Sequence, residues 1–322
     1  MKVSFESFIL FFRSSYLKTE KHLSLHSKYL VAQTLIRSFY ASLLFLAIVN
    51  LEDWKTYLGK NELQTLWPVS WLGIVDLHVE ITIILVLNLV GGVLAVTLTQ
   101  FRMVRVLVFL SLLEFYGLRY SFGKIGHGSH LAILISLFLI FLPQGWNQIS
   151  QHSKLVKASV IAVFSSCQIL IMLTYTMSGI GKVFYALLQG SRGEVNALMP
   201  KGLALTIANR LLETGQNSFL GDFFIQNYYA GWLLMLGAIY IQLFALWAAF
   251  RPSLHQVWGL SLIVFHISVY LTMTITFEQN CLWLAIFFLY SPFSQLNFDP
   301  KRILLDLPLL DLMSWKILKG TR

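Results

Sequence analysis

Residues 156–177, VKASVIAVFSSCQILIMLTYTM, decide the class of this protein. The run carries one charge, Lys157 near its start. At about 1.5 Å of rise per residue it crosses the roughly 30 Å hydrocarbon core of a bilayer as a single helix. Seven further runs of the same kind lie at 30–49, 74–98, 104–120, 126–142, 229–250, 257–275 and 277–290. They predict an all-α fold, a polytopic integral membrane bundle of about eight transmembrane helices. The fourth and eighth runs are short. The turn at 276–280 leaves a second reading open, seven crossings with a re-entrant last stretch.

The composition agrees, with 57% of residues hydrophobic and 12% charged, and a mean hydropathy of +0.68. A soluble domain has no interior large enough for that much apolar surface. The net charge of +9 does not point to nucleic acid, because Lys and Arg gather at helix ends without an aromatic-interleaved basic stripe. The partner it implies is the lipid bilayer. Cys167 and Cys281 fall in apolar runs without CxxC spacing and are expected to be inert thiols. Residues 1–28 lack the apolar core and cleavage site of a signal peptide, so the first spanning helix is expected to serve as the targeting signal. No GxSxG, HExxH, P-loop or GxGxxG pattern stands in a suitable context, and no internal repeat suggests a transporter-style duplication.

If all eight runs cross, fifteen Lys and Arg residues fall on the side of the termini and eight on the other, with Arg37 inside the first helix. The asymmetry predicts cytoplasmic termini. The organisation expected is an interfacial amphipathic N-terminus over 1–28, a transmembrane domain over 29–292 with an external segment at 178–227, and a basic cytoplasmic tail over 293–322. In the N-terminus, Phe5, Phe8, Ile9 and Phe12 oppose Arg13 and Lys18. Residues 201–213 place Leu203, Ile207 and Leu211 at four-residue spacing, a face suited to lying along the membrane plane.

Ionisable residues inside spanning runs are costly and mark where function is to be sought: Arg37, Glu114, His130, Lys182 and His266. Arg37 and Glu114 lie deep in the first and third runs and are expected to pair, since neither charge is stable alone there. His127 and His130, three apart, share a helical face; with no third ligand at a diagnostic spacing they read as a polar cluster, not a metal site. Asp76 and Glu80 at the start of the second run suit the helix dipole. His266 is deep enough to need a partner in the bundle.

Four stretches together resemble the HTTM domain, the transmembrane module of the vitamin K-dependent gamma-carboxylase family and its bacterial relatives. They are Thr34-Leu35-Ile36-Arg37-Ser38, Gly126-His127-Gly128-Ser129-His130 with the helix end Phe141-Leu142-Pro143, Tyr175-Thr176-Met177-Ser178-Gly179-Ile180-Gly181-Lys182, and Phe265-His266 followed by Pro292. The resemblance implies that Lys182, at the outer end of a helix, is the base that deprotonates a reduced quinone. That role needs an apolar site where the neutral amine is favoured. The candidate set is then Lys182 and His130 for catalysis, and Arg37, Glu114, His127, Tyr175 and His266 for binding a quinone or other lipid-like cofactor.

Two departures narrow this. Val183-Phe184-Tyr185 stands where the family has an acidic residue followed by tryptophan and glycine, and the sequence continues only about 30 residues past Pro292. Glutamate carboxylation itself is therefore not expected. Shorter bacterial members are the better likeness, among them the membrane protein that helps mature a secreted sporulation-delaying toxin. What they imply is a bacterial inner (plasma) membrane protein working at the outer face on, or with, a lipid-like cofactor or an exported peptide. A non-enzymatic accessory role in export or maturation, and a small-molecule transporter, stay open beside it.

Overall fold

The computed structural model describes residues 24–51, 63–74, 76–123, 126–148, 153–294 and 299–309. The amphipathic face at Phe5 to Phe12, and the tail beyond 309, lie outside them. All regular structure among the described residues is helical. In chain order the helices are α1 Leu25–Asn50, α2 Leu77–Thr97, α3 Arg102–Ser121, α4 His130–Leu139, α5 Lys154–Ser191, α6 Gly202–Thr214, α7 Phe219–Gln226, α8 Tyr228–Leu243, α9 Ala245–Ala249, α10 His255–Met273, α11 Glu278–Leu284 and α12 Pro300–Asp306. Short 3-10 turns precede α4 and α10, and a π-helical turn, Ala285–Leu289, follows α11.

Four stretches are long and apolar enough to cross a membrane: Leu25–Asn50, Leu77–Thr97, Lys154–Ser191 and Pro252–Met273. They point to a membrane protein. The other expected crossings are shorter or interrupted. α4 has 10 residues, and the stretch expected at 229–250 is broken at Phe244 between α8 and α9. α3 has 20 residues but carries Arg102, Arg105, Glu114 and Arg119. The largest difference is α5, expected to end at Met177 but helical for 38 residues, about 57 Å, to Ser191. Lys182 therefore sits inside a helix and not at its end.

The chain divides into two compact units, Leu23–Cys167 and the part from Gln168 onward. In the first unit, small residues let helices approach. A Cβ on Gly91 would lie 2.2 Å from Ser111 Oγ of α3, and one on Gly92 would lie 3.0 Å from the Leu44 backbone of α1. Close backbone contact of this kind gives dispersion attraction where lipid leaves no hydrophobic drive between helices. Asp76 caps α2 by accepting the Val79 N–H at 3.1 Å, as its place at a helix start suggested. Glu80 is buried and accepts the Gly73 N–H at 2.5 Å.

In the second unit, α6 and α7 form a short hairpin. Leu203, Ile207 and Leu211 of α6 are buried against Phe224, Ile225, Met235 and Met273. The face expected to lie on the membrane thus packs on the protein itself. At α8, Gly179 of α5 meets the helix end so closely that a Cβ would fall 2.7 Å from Leu243 N. Just beyond the break, Thr176 Oγ1 accepts the Leu246 N–H at 2.9 Å, satisfying a donor that α9 leaves open.

Candidate functional site

Tyr175, Ser178 and Lys182 are spaced by three and four residues on α5 and so share one face. The Lys182 ammonium donates to Ser178 Oγ at 2.8 Å, and Lys182 is half-buried. Two turns earlier the buried Tyr175 hydroxyl is 2.7 Å from His266 Nε2 of α10. The His266 ring stands between Phe265 and Phe277, with centroids at 5.2 and 4.7 Å. Lys182 lies within electrostatic reach of His266. The Asn280 side chain of α11 sits beside the Tyr175 hydroxyl. Among the described residues Lys182 forms no ion pair.

The hydrogen-bond inventory of this group is incomplete. His266 Nδ1 and Asn280 Oδ1 are buried without a partner, as is Gln242 Oε1 of α8. If Tyr175 donates to Nε2, Nδ1 carries the ring proton and is a free donor; with the other tautomer it is a free acceptor. Next to Lys182, the helix surface at Gly181 is unobstructed, since a Cβ there would meet nothing within 4 Å. The arrangement therefore offers a half-buried amine with one hydroxyl partner, a Tyr–His pair on the same side of the helix, and unused polar atoms in an apolar setting. Such a set can hold a polar head on an apolar molecule and move a proton to or from it.

Lys182, Tyr175 and His266 are thus brought together. The other four expected residues belong to the unit Leu23–Cys167. There the expected Arg37–Glu114 ion pair does not form. Arg37 is exposed and donates to the Asn147 carbonyl at 2.5 Å, whereas Glu114 accepts from Trp71 Nε1 at 3.0 Å. The ground for pairing them was that neither charge is stable alone at depth, and depth does not fix which helix face a side chain takes. His130 opens α4 and meets the Tyr120 ring edge-on at 5.6 Å. His127 lies in the 3-10 turn before it, and its side chain is outside the described residues. Among the described residues no group of three His, Cys, Asp or Glu could hold a metal ion.

Two buried networks were not legible beforehand. Arg105, one of the fifteen cations counted on the side of the termini, is 1% exposed. Its guanidinium donates to the carbonyls of Thr99 at 2.7 Å, Gln100 and Ile140 at 3.3 Å, and to that of Leu142. These carbonyls follow the C-termini of α2 and α4, where the helix dipoles favour a cation. Trp146 adds to the knot, donating to Thr99 O at 2.9 Å and accepting from the Tyr29 hydroxyl at 2.8 Å. In the second unit His255 Nδ1 lies 2.8 Å from Ser291 Oγ and its Nε2 3.1 Å from Ala249 O, while Gln168 donates to Ser291 Oγ at 3.0 Å. That network is closed on itself and ties α5, α10 and the segment after the π-helical turn. No family model, curated protein or solved structure matches the chain.

Proposed function

We propose that this is an HTTM-like integral membrane protein that binds a lipid-like molecule with a quinone-type head at the Lys182–Tyr175–His266 cluster, with Lys182 as proton acceptor. The observation that carries the reading is the Tyr175–His266 hydrogen bond of 2.7 Å beside a lysine that has only Ser178 for company. Both helices that supply the cluster are long and apolar enough to cross a bilayer. A lipid-tailed ligand therefore reaches Lys182 laterally.

The residues fit such a head. His266 Nδ1 and Asn280 Oδ1 are buried polar atoms with no partner, suited to one oxygen that accepts and one that donates. When bound, the head would supply a hydroxyl whose deprotonation generates a reactive oxyanion. Lys182 as free amine takes that proton, Ser178 orients the amine, and Tyr175 fixes the imidazole plane. In the proposed topology the chain crosses eight times with cytoplasmic termini, α8 with α9 and α11 with its π-helical turn completing the count, in a bacterial inner membrane.

Arginine keeps a positive charge and cannot give up its proton at physiological pH. Lys182→Arg is expected to reach normal abundance in the membrane yet fail to restore whatever phenotype a deletion produces. Full restoration by Lys182→Arg would discard the base and favour an accessory role in which the lysine only anchors a helix.

A further inference from the structure

The α6–α7 hairpin raises a question that its inner face does not answer. Its apolar inner stripe is consumed by packing, yet Leu212 is 81% and Phe219 86% exposed, more than any other large apolar side chain among the described residues. They flank the turn between the two helices. Leu205, seven residues before Leu212 on the same stripe of α6, and Phe223, four after Phe219 on α7, are 46% and 45% exposed. Helices of 13 and 8 residues are too short to cross a bilayer, so crossing does not explain this exposure.

The depth of the turn is fixed by its hydrogen bonds. Ser218 Oγ donates to the Leu271 carbonyl at 2.5 Å, Thr274 donates to Gln216 Oε1, and a Cβ on Gly221 would lie 2.7 Å from Thr272 O. Leu271, Thr272 and Thr274 form the C-terminal end of α10, the end of a stretch long enough to cross. The turn therefore sits where that helix leaves the hydrocarbon. At that level apolar side chains meet the boundary between acyl chains and headgroups. We propose that the α6–α7 hairpin is a membrane-interface anchor, inserting Leu212 and Phe219, with Leu205 and Phe223 behind them, into one leaflet. The occupant of the exposed face is lipid. Glu213 and Asp222 are exposed next to Leu212 and Phe223, and the proposal places their carboxylates at the aqueous edge of the anchor. This reading depends on α10 crossing and is independent of any chemistry at Lys182.

The test is site-directed spin labelling of the full chain, with Cys167→Ala and Cys281→Ala as background, in vesicles of phosphatidylcholine and phosphatidylglycerol. Labels at Leu212→Cys and Phe219→Cys are expected to collide more with dissolved oxygen than with an aqueous nickel chelate. The resulting depth is about 5–10 Å below the headgroups. Labels at Glu213→Cys and Asp222→Cys are expected to show the reverse preference. Access of nickel chelate to 212 and 219 equal to that at 213 and 222 would overturn the anchor. So would immobilised labels shielded from both reagents, which would identify a second copy or a protein partner as the occupant. Because each label is a single exposed substitution, a variant that fails to fold is recognised by lost monodispersity in detergent and replaced by the label at Leu205 or Phe223.

Discussion

Arg105 and Lys182 are both cations set among apolar residues, and what surrounds them differs in completeness. Arg105 is sealed, with four backbone carbonyls around its guanidinium and helix C-termini turned toward it. Lys182 is half-buried and keeps one hydroxyl partner, beside an unobstructed position at Gly181. A fully buried cation whose two terminal nitrogens are both held by backbone carbonyls stabilises the fold and offers no open side to a ligand, although its Nε keeps no partner. One with unused donors, beside a histidine and an asparagine that each keep one unpartnered polar atom, can exchange protons and partners. Burial and the number of carbonyl partners separate the structural charge from the candidate functional one.

The largest effect that can break this comparison is on stability. Arg105→Leu takes the Arg105 donor from the Ile140 and Leu142 carbonyls, while Thr99 O keeps Trp146 and Gln100 O keeps the Gly145 N–H. At about 1–3 kcal/mol for each carbonyl that loses its donor, a total loss of about 2–6 kcal/mol is expected in detergent unfolding. Lys182→Leu is expected to cost less than about 1 kcal/mol, because only one partly exposed hydroxyl loses its partner. Similar losses at both positions would erase the distinction.

A second contrast uses two glycines. At Gly179 an added methyl meets the backbone of Leu243, which cannot rotate away; at Gly91 it meets the hydroxyl of Ser111, which can turn aside although its Cβ at 3.0 Å stays. Gly179→Ala is expected to cost about 2–3 kcal/mol and Gly91→Ala about 1–2 kcal/mol. Ser111→Gly is expected to recover most of the Gly91→Ala loss. Equal losses, or no recovery in the thermal unfolding of the double variant, would mean that close approach is not what these glycines provide.

The long apolar runs made α1, α2 and α10 legible, since hydropathy and length act on each run without reference to the rest of the chain. α5 was expected to end at Met177, where the uninterrupted apolar run gives way to Ser178-Gly179-Ile180-Gly181-Lys182. Gly179 is instead required by the approach of α8, a tertiary fact that leaves no local trace. The stripe Leu203–Ile207–Leu211 was legible as an apolar face, but periodicity does not say whether lipid or protein covers it. Arg105 follows Arg102 by three residues at the start of a helix, which is how a solvated loop pair also looks. Its inward direction depends on carbonyls 35 and 37 residues away. Tyr175 and His266 were singled out separately, and the hydrogen bond between them spans 91 residues.

The smallest expected effect concerns Arg37 and Glu114. With separate partners they are expected to behave independently. Arg37→Met and Glu114→Gln should each cost about 1 kcal/mol or less, and the double variant should equal their sum within about 0.5 kcal/mol. A coupling well above that would restore an ion pair between them.

The central claim is that the incomplete cluster is a ligand site, and the most direct measurement is where a ligand lands. A lipid-tailed, photoreactive quinone analogue is added to the purified protein in detergent and irradiated, and its attachment sites are read by peptide mass spectrometry. The account predicts attachment on peptides carrying Lys182 and His266, suppressed by excess unreactive quinone and reduced in Tyr175→Phe. Attachment spread along the lipid-exposed flanks of α2, or unaffected by competing quinone, would contradict it.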